Sequence, residues 1–357
     1  PPGGGRSAVQ LLSIRQRSIV TGAHGFVGRH VARCLHSAGY IVYGIGHGDW
    51  GEHEFSQWGL TTWLSADITL ETLRALPLTP DLVIHCAGGG SVSAADQYPL
   101  RDFEQSVHST AHVLEYLRTA APGARLVYPS SASVYGNCTL TPIPEDAPLT
   151  PFSQYGVHKL MAEQLIRSYT QRFAIPAAIV RLFSAYGPGL RKQLLWDACQ
   201  KLTAGDTLFM GTGNELRDWL HVDDAAGLLV KLAEHADPSC PTMNGGTGIG
   251  VSTRELLAHL AHCLLRHPGS LHFSNMQRTG DPVSYVADIS AAMRVPWQPI
   301  HTWQAGVAQY VDWWINQSPA PSIFSMLSTN TIANETLTPG APYTTSLPSP
   351  LQTLGRT

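Results

Sequence analysis

Paired-cysteine motifs, long apolar runs and a surplus of either charge are all missing from this chain of 357 residues. Its six cysteines stand singly, with no CxxC spacing. Neither a disulfide framework nor a zinc site is indicated, and a reducing compartment fits. No stretch approaches the roughly 20 apolar residues that span a bilayer, and no charged-then-apolar segment with a small-residue cleavage site opens the sequence. Charged residues are only 14% and the net charge is −3, which excludes the basic surface that nucleic acid or an anionic membrane attracts. What is present is 43% hydrophobic residues, enough for a large α/β domain or for two that share a core. The expectation is a cytoplasmic globular enzyme or binding protein without a nucleic-acid or membrane partner.

The first 16 residues are rich in glycine and proline, then basic, and read as a flexible leader; 317–357 is dominated by Ser, Thr and Pro and reads as a disordered tail. Between them, short apolar runs alternate with amphipathic segments. Ser18–Thr21, Tyr40–Ile45, Asp81–Ala87, Arg125–Tyr128 and Ala178–Phe183 read as strands. Val27, Val31, Leu35 and Ala38 share one helical face, and helices are expected near 101–120 and 156–173. Strand–helix–strand repetition implies an α/β fold with a doubly wound parallel sheet. Residues 17–186 are expected to form mainly this Rossmann-type domain, and 187–316 mainly a smaller, interleaved substrate-binding lobe.

Thr21-Gly-Ala-His-Gly-Phe-Val-Gly28 follows the first strand and opens the first helix. Gly22 allows the tight turn, Gly25 the approach of a pyrophosphate to the backbone, and Gly28 close helix–sheet packing. Unpaired amides at the helix start then face the phosphates. A plain glycine-rich loop is the competing reading, but the strand–turn–helix context favours a dinucleotide. Tyr155-Gly-Val-His-Lys159 sets a phenol and an ammonium one helical turn apart. A tyrosine acts as a base near neutrality only if neighbouring positive charge lowers a pKa of about 10. Ser131 lies in Ser130-Ser-Ala-Ser-Val-Tyr-Gly136, just after a strand; it can bridge the tyrosine and a substrate oxygen, or cap its own turn. His259, His262 and His267 read as the polar face of a helix, so no metal is expected.

The GxxGxxG turn, the Ser131 segment and the YxxxK pair, in this order, resemble the extended short-chain dehydrogenase/reductase family, and in particular its UDP-galactose 4-epimerase-like nucleotide-sugar epimerases. Three further segments fit: His85-Cys-Ala-Gly88, Arg181-Leu-Phe-Ser-Ala-Tyr-Gly-Pro188, similar to RxxNxYGP, and Arg217-Asp-Trp-Leu-His-Val-Asp-Asp224, similar to RD(Y/F)IHVxD. The resemblance implies Ser131, Tyr155 and Lys159 as catalytic residues. It implies Gly22, Gly25, Phe26, Val27, Gly28, His47, Asp67, Ile68, Ala87, Gly88, Phe183, Tyr155 and Lys159 around the dinucleotide. On the substrate side it implies Ser131, Ser184, Gln193, Leu194, Arg217 and Arg278, the two arginines clamping a diphosphate. Ser184 stands where the family has Asn. Asp67, matching the family's adenine-binding acid, also reads as a helix N-cap.

Ala132 and Ser133 occupy the positions where 4,6-dehydratases of this family carry acids, which disfavours dehydration. Gly46 and His47 replace the acid that marks NAD at the end of the second strand; NAD is the expected cofactor, with NADP as the alternative. The resulting expectation is a nucleotide-sugar epimerase working through a keto sugar. The rivals are an NADPH-dependent reductase of 4-keto nucleotide sugars and a non-catalytic dinucleotide sensor. The substrate partner is a nucleotide-diphosphate sugar, and family habit implies a homodimer through the helices near 101–120 and 156–173.

Overall fold

The computed structural model describes residues 15–265, 270–276 and 282–317. Arg278 and His267, the leader up to residue 14 and the tail from 318 lie outside the described residues. The strands of the main sheet are β1 (Arg17–Thr21), β2 (Ile41–Gly46), β3 (Thr62–Ser65), β4 (Leu82–His85), β5 (Arg125–Ser131) and β6 (Ala177–Leu182). Short strands β7 (Ser184–Tyr186), β8 (Leu208–Phe209) and β9 (Leu216–His221) follow, and then β10 (Thr242–Gly245). The order across the main sheet is β10-β6-β5-β4-β1-β2-β3, with every pairing parallel. Strand order therefore reverses between β1 and β4, and the crevice beyond their carboxyl ends is where such sheets bind ligands.

Why the sheet is buried on both faces is visible in its sequence. Adjacent apolar residues point to opposite sides: Val20, Ile84, Val127 and Val180 enter one core, and Ile19, Val83, Leu126 and Ile179 the other. Helices α1 (Phe26–Ser37), α2 (Glu52–Gln57), α3 (Leu70–Arg74), α4 (Val92–Gln97), α5 (Pro99–Phe103), α6 (Ser109–Ala120), α7 (Gln154–Phe173), α8 (Gln193–Thr203) and α9 (Val222–Leu232) accompany the strands. Val31 and Leu35 of α1 and Leu228 and Leu229 of α9 fill the first core; Leu114 of α6 and Ile166 of α7 fill the second. Ala38, expected on the buried face of the first helix, instead caps it and is exposed. One π-turn at Glu104–His108 joins α5 to α6, a feature that hydrophobic spacing does not announce.

Residues 187 onward are interleaved with the rest, because β10 completes the main sheet beside β6. A third apolar cluster joins Tyr186, Leu195 and Leu202 to Leu256 and Leu260 of α10 (Thr253–Leu265) and to Val307, Tyr310 and Trp314 of α11 (Trp303–Gln317). In α10 His262 is exposed, while His259 meets Gln304 O at 3.0 Å and packs edge-on against Trp303. No helix among the described residues is long and apolar enough to cross a membrane.

Candidate active site

The glycine-rich turn leaves β1 at the point of strand-order reversal. Gly22 has φ +65°, and a Cβ there would sit 2.7 Å from Ala87 N in the loop after β4. Only glycine lets these two loops touch. Gly25 is exposed and precedes α1 with no side-chain cap, so the first amides of that helix are left for an anion. Phe26 and Val27 begin the helix, and Gly28 packs against Gly22 O. A buried chain of hydrogen bonds fixes the two loops: Ala87 N donates to Thr21 Oγ1 (3.1 Å), which meets His85 Nδ1 at 2.6 Å, while His85 Nε2 meets Thr110 Oγ1 at 3.1 Å. Burial, then the nearby Lys159 ammonium, pushes His85 down to about 3. It is a neutral cross-link of the core.

At the end of β2, His47 Nε2 lies 2.5 Å from Asp67 Oδ1, both side chains being exposed. The cap of α3 is not Asp67. Thr69 Oγ1 accepts from Thr72 N at 3.1 Å and the Thr72 hydroxyl reciprocates at Thr69 N, which leaves the Asp67 carboxylate facing His47. Ile68 packs into the second core.

β5 carries Ser131 to the crevice as its last residue. Its Oγ accepts from Ser133 N at 3.2 Å, so it caps the following turn and also reaches the phenol of Tyr155. Tyr155 is half-buried in the first turn of α7, a helix capped by Ser153 Oγ accepting from Gly156 N. Burial pushes its phenol up to about 12, against a hydrogen bond with Ser131 that pulls it down. One turn on, Lys159 is only 5% exposed; its Nζ donates to Pro129 O at 3.1 Å and lies 4.8 Å and 5.9 Å from the ring centres of Tyr128 and Tyr155. Burial draws it down to about 8. A Cβ on Gly88 would stand 3.7 Å from that ammonium, which places the loop after β4 directly over Lys159.

Ser131, Tyr155, Lys159, Gly88, Ala87 and Gly22 are thus one neighbourhood. Among the described residues, the buried hydroxyls of Ser130 and Ser133 beside it have no hydrogen-bond partner. Phe183 is buried against the rings of Tyr135 and Tyr285, and Ser184 starts β7. Gln193 opens α8 with φ +67°, and Leu194 turns into the third cluster. Arg217 sits on β9, where its Nη1 donates to Leu216 O and Pro282 O, both at 2.9 Å. It stacks near Tyr285, whose hydroxyl donates to Gly136 O in the turn after β5.

Reading the sequence missed several charged groups here. Asp102 and His158 are both buried, with Oδ2 and Nδ1 2.6 Å apart, and Asp102 lies against Gly89. Ser106, in the π-turn, accepts from Gly89 N at 2.9 Å. Arg181, the first residue of the segment resembling RxxNxYGP, turns inward to a bidentate pair with Glu163 of α7 (3.1 and 2.8 Å). His158 lay inside a recognised motif and Arg181 headed one, but nothing in either pattern specified a buried partner.

Residues 18–244 match the NAD dependent epimerase/dehydratase family. Over 316 residues the chain is 28% identical to a UDP-glucose 4-epimerase of Mycolicibacterium smegmatis, covering 85% of this chain and 99% of that one. Its fold is similar to a UDP-glucose 4-epimerase of Thermotoga maritima solved with UDP-glucose, at TM-score 0.75 and 22% identity, over 84% and 99% of the two chains. It is equally similar to a UDP-glucuronic acid 4-epimerase of Bacillus cereus solved with UDP-glucuronic acid and NAD, at TM-score 0.74 and 23% identity, again over 84% and 99%. The chain belongs to the NAD-dependent epimerase/dehydratase family.

Proposed function

We propose that this protein is a nucleotide-sugar epimerase that holds NAD in the crevice between β1 and β4 and acts on a UDP-sugar. The observation that carries this reading is the meeting of Ser131, Tyr155 and Lys159 beside the loop after β4, facing the glycine-rich turn. The names of the relatives supply the substrate class. When bound, the nicotinamide supplies the acceptor and donor of hydride at the sugar carbon, so the sugar passes through a keto form.

The chain's own residues handle the proton and the positioning. Tyr155 takes the proton of the sugar hydroxyl and returns it after the keto sugar has presented its other face. Its phenol, held protonated by burial, needs positive charge nearby to act as a base, and Lys159 provides it. Ser131 shares its hydrogen bond with Tyr155 and supports the oxygen that changes charge. Ala132 and Ser133 offer no acid for expelling water, which argues against dehydration. The Asp67 carboxylate beside His47 puts an acid at the end of β2, unfavourable to a 2′-phosphate and favourable to NAD over NADP. We also infer a homodimer through α6 and α7, where Ala111 of α6, Met161 and Leu165 of α7 and Phe103 of α5 line a groove.

Tyr155→Phe tests the central assignment. Turnover of UDP-glucose and UDP-galactose should fall by about a hundredfold or more, the scale of acid–base catalysis, while the amount of NAD that co-purifies stays the same. Turnover within about tenfold of the parent, below that scale, removes Tyr155 from the mechanism.

A further inference from the structure

Three consecutive glycines follow β4, and each lies against a charged side chain. Gly88 faces Lys159 Nζ, Gly89 faces the Asp102 carboxylate, and a Cβ on Gly90 would stand 2.6 Å from Lys192 Nζ. The first two of these charges, one cation and one anion, have partners: Lys159 bonds Pro129 O and Asp102 pairs with His158. Lys192 makes no hydrogen bond or ion pair with any described residue.

Lys192 reaches this position because the segment 187–192 crosses from the third cluster to the crevice. Leu190 O accepts from Tyr310 OH at 2.8 Å, and Pro188 O meets His30 Nε2 of α1 at 3.2 Å. Gly189 packs beside Phe26 in the glycine-rich turn. Arg191 comes close enough to Arg29 of α1 that, after burial, its charge is the next cause holding Arg29 below the ordinary guanidinium value. The segment therefore touches the glycine-rich turn with one end and the Gly88–Gly90 loop with the other, bringing positive charge to both. Like charges gathered at a crevice cost energy unless an anion joins them. Lys192 is exposed to the crevice, and partial desolvation of its ammonium draws its pKa down.

We propose that Lys192 is a diphosphate ligand, its ammonium held over Gly90 to take a phosphate oxygen of the dinucleotide or of the nucleotide sugar. The role deepens the nucleotide-sugar reading and rests on it. It also complements the arginines expected from sequence, since Arg217 already donates to two backbone carbonyls of its own lobe. No covalent step is involved: Lys192 supplies one charge-assisted hydrogen bond at either source of phosphate.

Lys192→Met and Lys192→Arg separate the two sources through binding alone. One arm measures the fraction of NAD that survives gel filtration, and the affinity of stripped protein for NAD by calorimetry. The other measures the affinity of NAD-loaded protein for UDP, used as the probe. Loss of one charge-assisted bond should weaken one arm by roughly tenfold or more, with Lys192→Arg recovering most of it and the unfolding midpoint unchanged. A fall in the NAD arm assigns the cofactor diphosphate, and a fall in the UDP arm the substrate diphosphate. Both arms within twofold of the parent, or a loss that Arg does not relieve, overturns the proposal. Neither arm depends on turnover, so an absence of epimerisation would refute the proposed function without deciding the role of Lys192.

Discussion

Replacing Arg181 by Met leaves the Glu163 carboxylate, 1% exposed, without its partner in the middle of α7. In the parent the guanidinium spends Nε and Nη2 on the two carboxylate oxygens and Nη1 on Tyr135 OH (3.0 Å) and Glu145 O (2.8 Å). Removing one member of such a buried pair costs about 3–5 kcal/mol, since the survivor keeps its desolvation penalty and loses its counter-charge. The pair itself carries much less, because attraction and desolvation nearly cancel. Arg181→Met/Glu163→Leu should therefore recover most of the loss, leaving mainly the Glu145 carbonyl without its donor, about 1–3 kcal/mol, while the Tyr135 hydroxyl keeps its 2.6 Å bond to Asn244 Oδ1. Urea unfolding of the stripped protein, followed by tryptophan fluorescence at constant slope, reads both values. A single variant within about 1 kcal/mol of the parent, or a double variant no better than the single, would refute the buried-pair argument.

Other outcomes follow from the same geometry. Lys159→Met should abolish turnover yet stabilise the fold at pH 7 by up to about 3 kcal/mol, the equivalent of a fall from 10.5 to about 8. The sign is set by linkage: between pH 8 and 10.5 the unfolded parent binds more protons than the folded one, so parental stability rises across that window and the advantage of the variant fades. Unfolding curves at pH 7, 9 and 10.5 check this, and an advantage that grows with pH would contradict it. Gly22→Ala places a Cβ at φ +65° and within 2.7 Å of Ala87 N; it should lose retained NAD and about 1–3 kcal/mol of stability. Retention at the parental level would mean that the two loops can separate.

Much of the sheet was legible because each strand carries adjacent apolar residues for two cores, and turns rich in glycine punctuate them. The limits of β1, β2 and β6 lie within a residue of the apolar runs, and α7 begins two residues before its expected start. The neighbourhood of Ser131, Tyr155 and Lys159 was legible for another reason: it hangs on strand ends and a single helical turn, which local spacing encodes. Pairs that join distant segments left no such trace. Asp102–His158 spans 56 positions, and Lys192 meets Gly90 from the far side of the crevice. The competing reading of Asp67 as a helix cap does not hold, because Thr69 and Thr72 satisfy both backbone amides reciprocally, an arrangement that the acid two residues earlier masks in sequence. Ala38 was placed on a helix face that ends one residue earlier, as its backbone amide turns to Cys34 O and the chain exits at Gly39.

The late arrival of β10 has a consequence for the ribosome. β6 reads AAIVRL and is buried along its whole length, and β10, the neighbour that covers its outer side, is made some 60 residues after β6. Until then a nascent chain carries an apolar strand with unpaired amides and carbonyls, the kind of edge on which strange strands stack. Truncation after β6 but before residue 242 should therefore yield inclusion bodies rather than a smaller soluble dinucleotide-binding fragment, because the part that was kept would end its sheet on that uncovered strand.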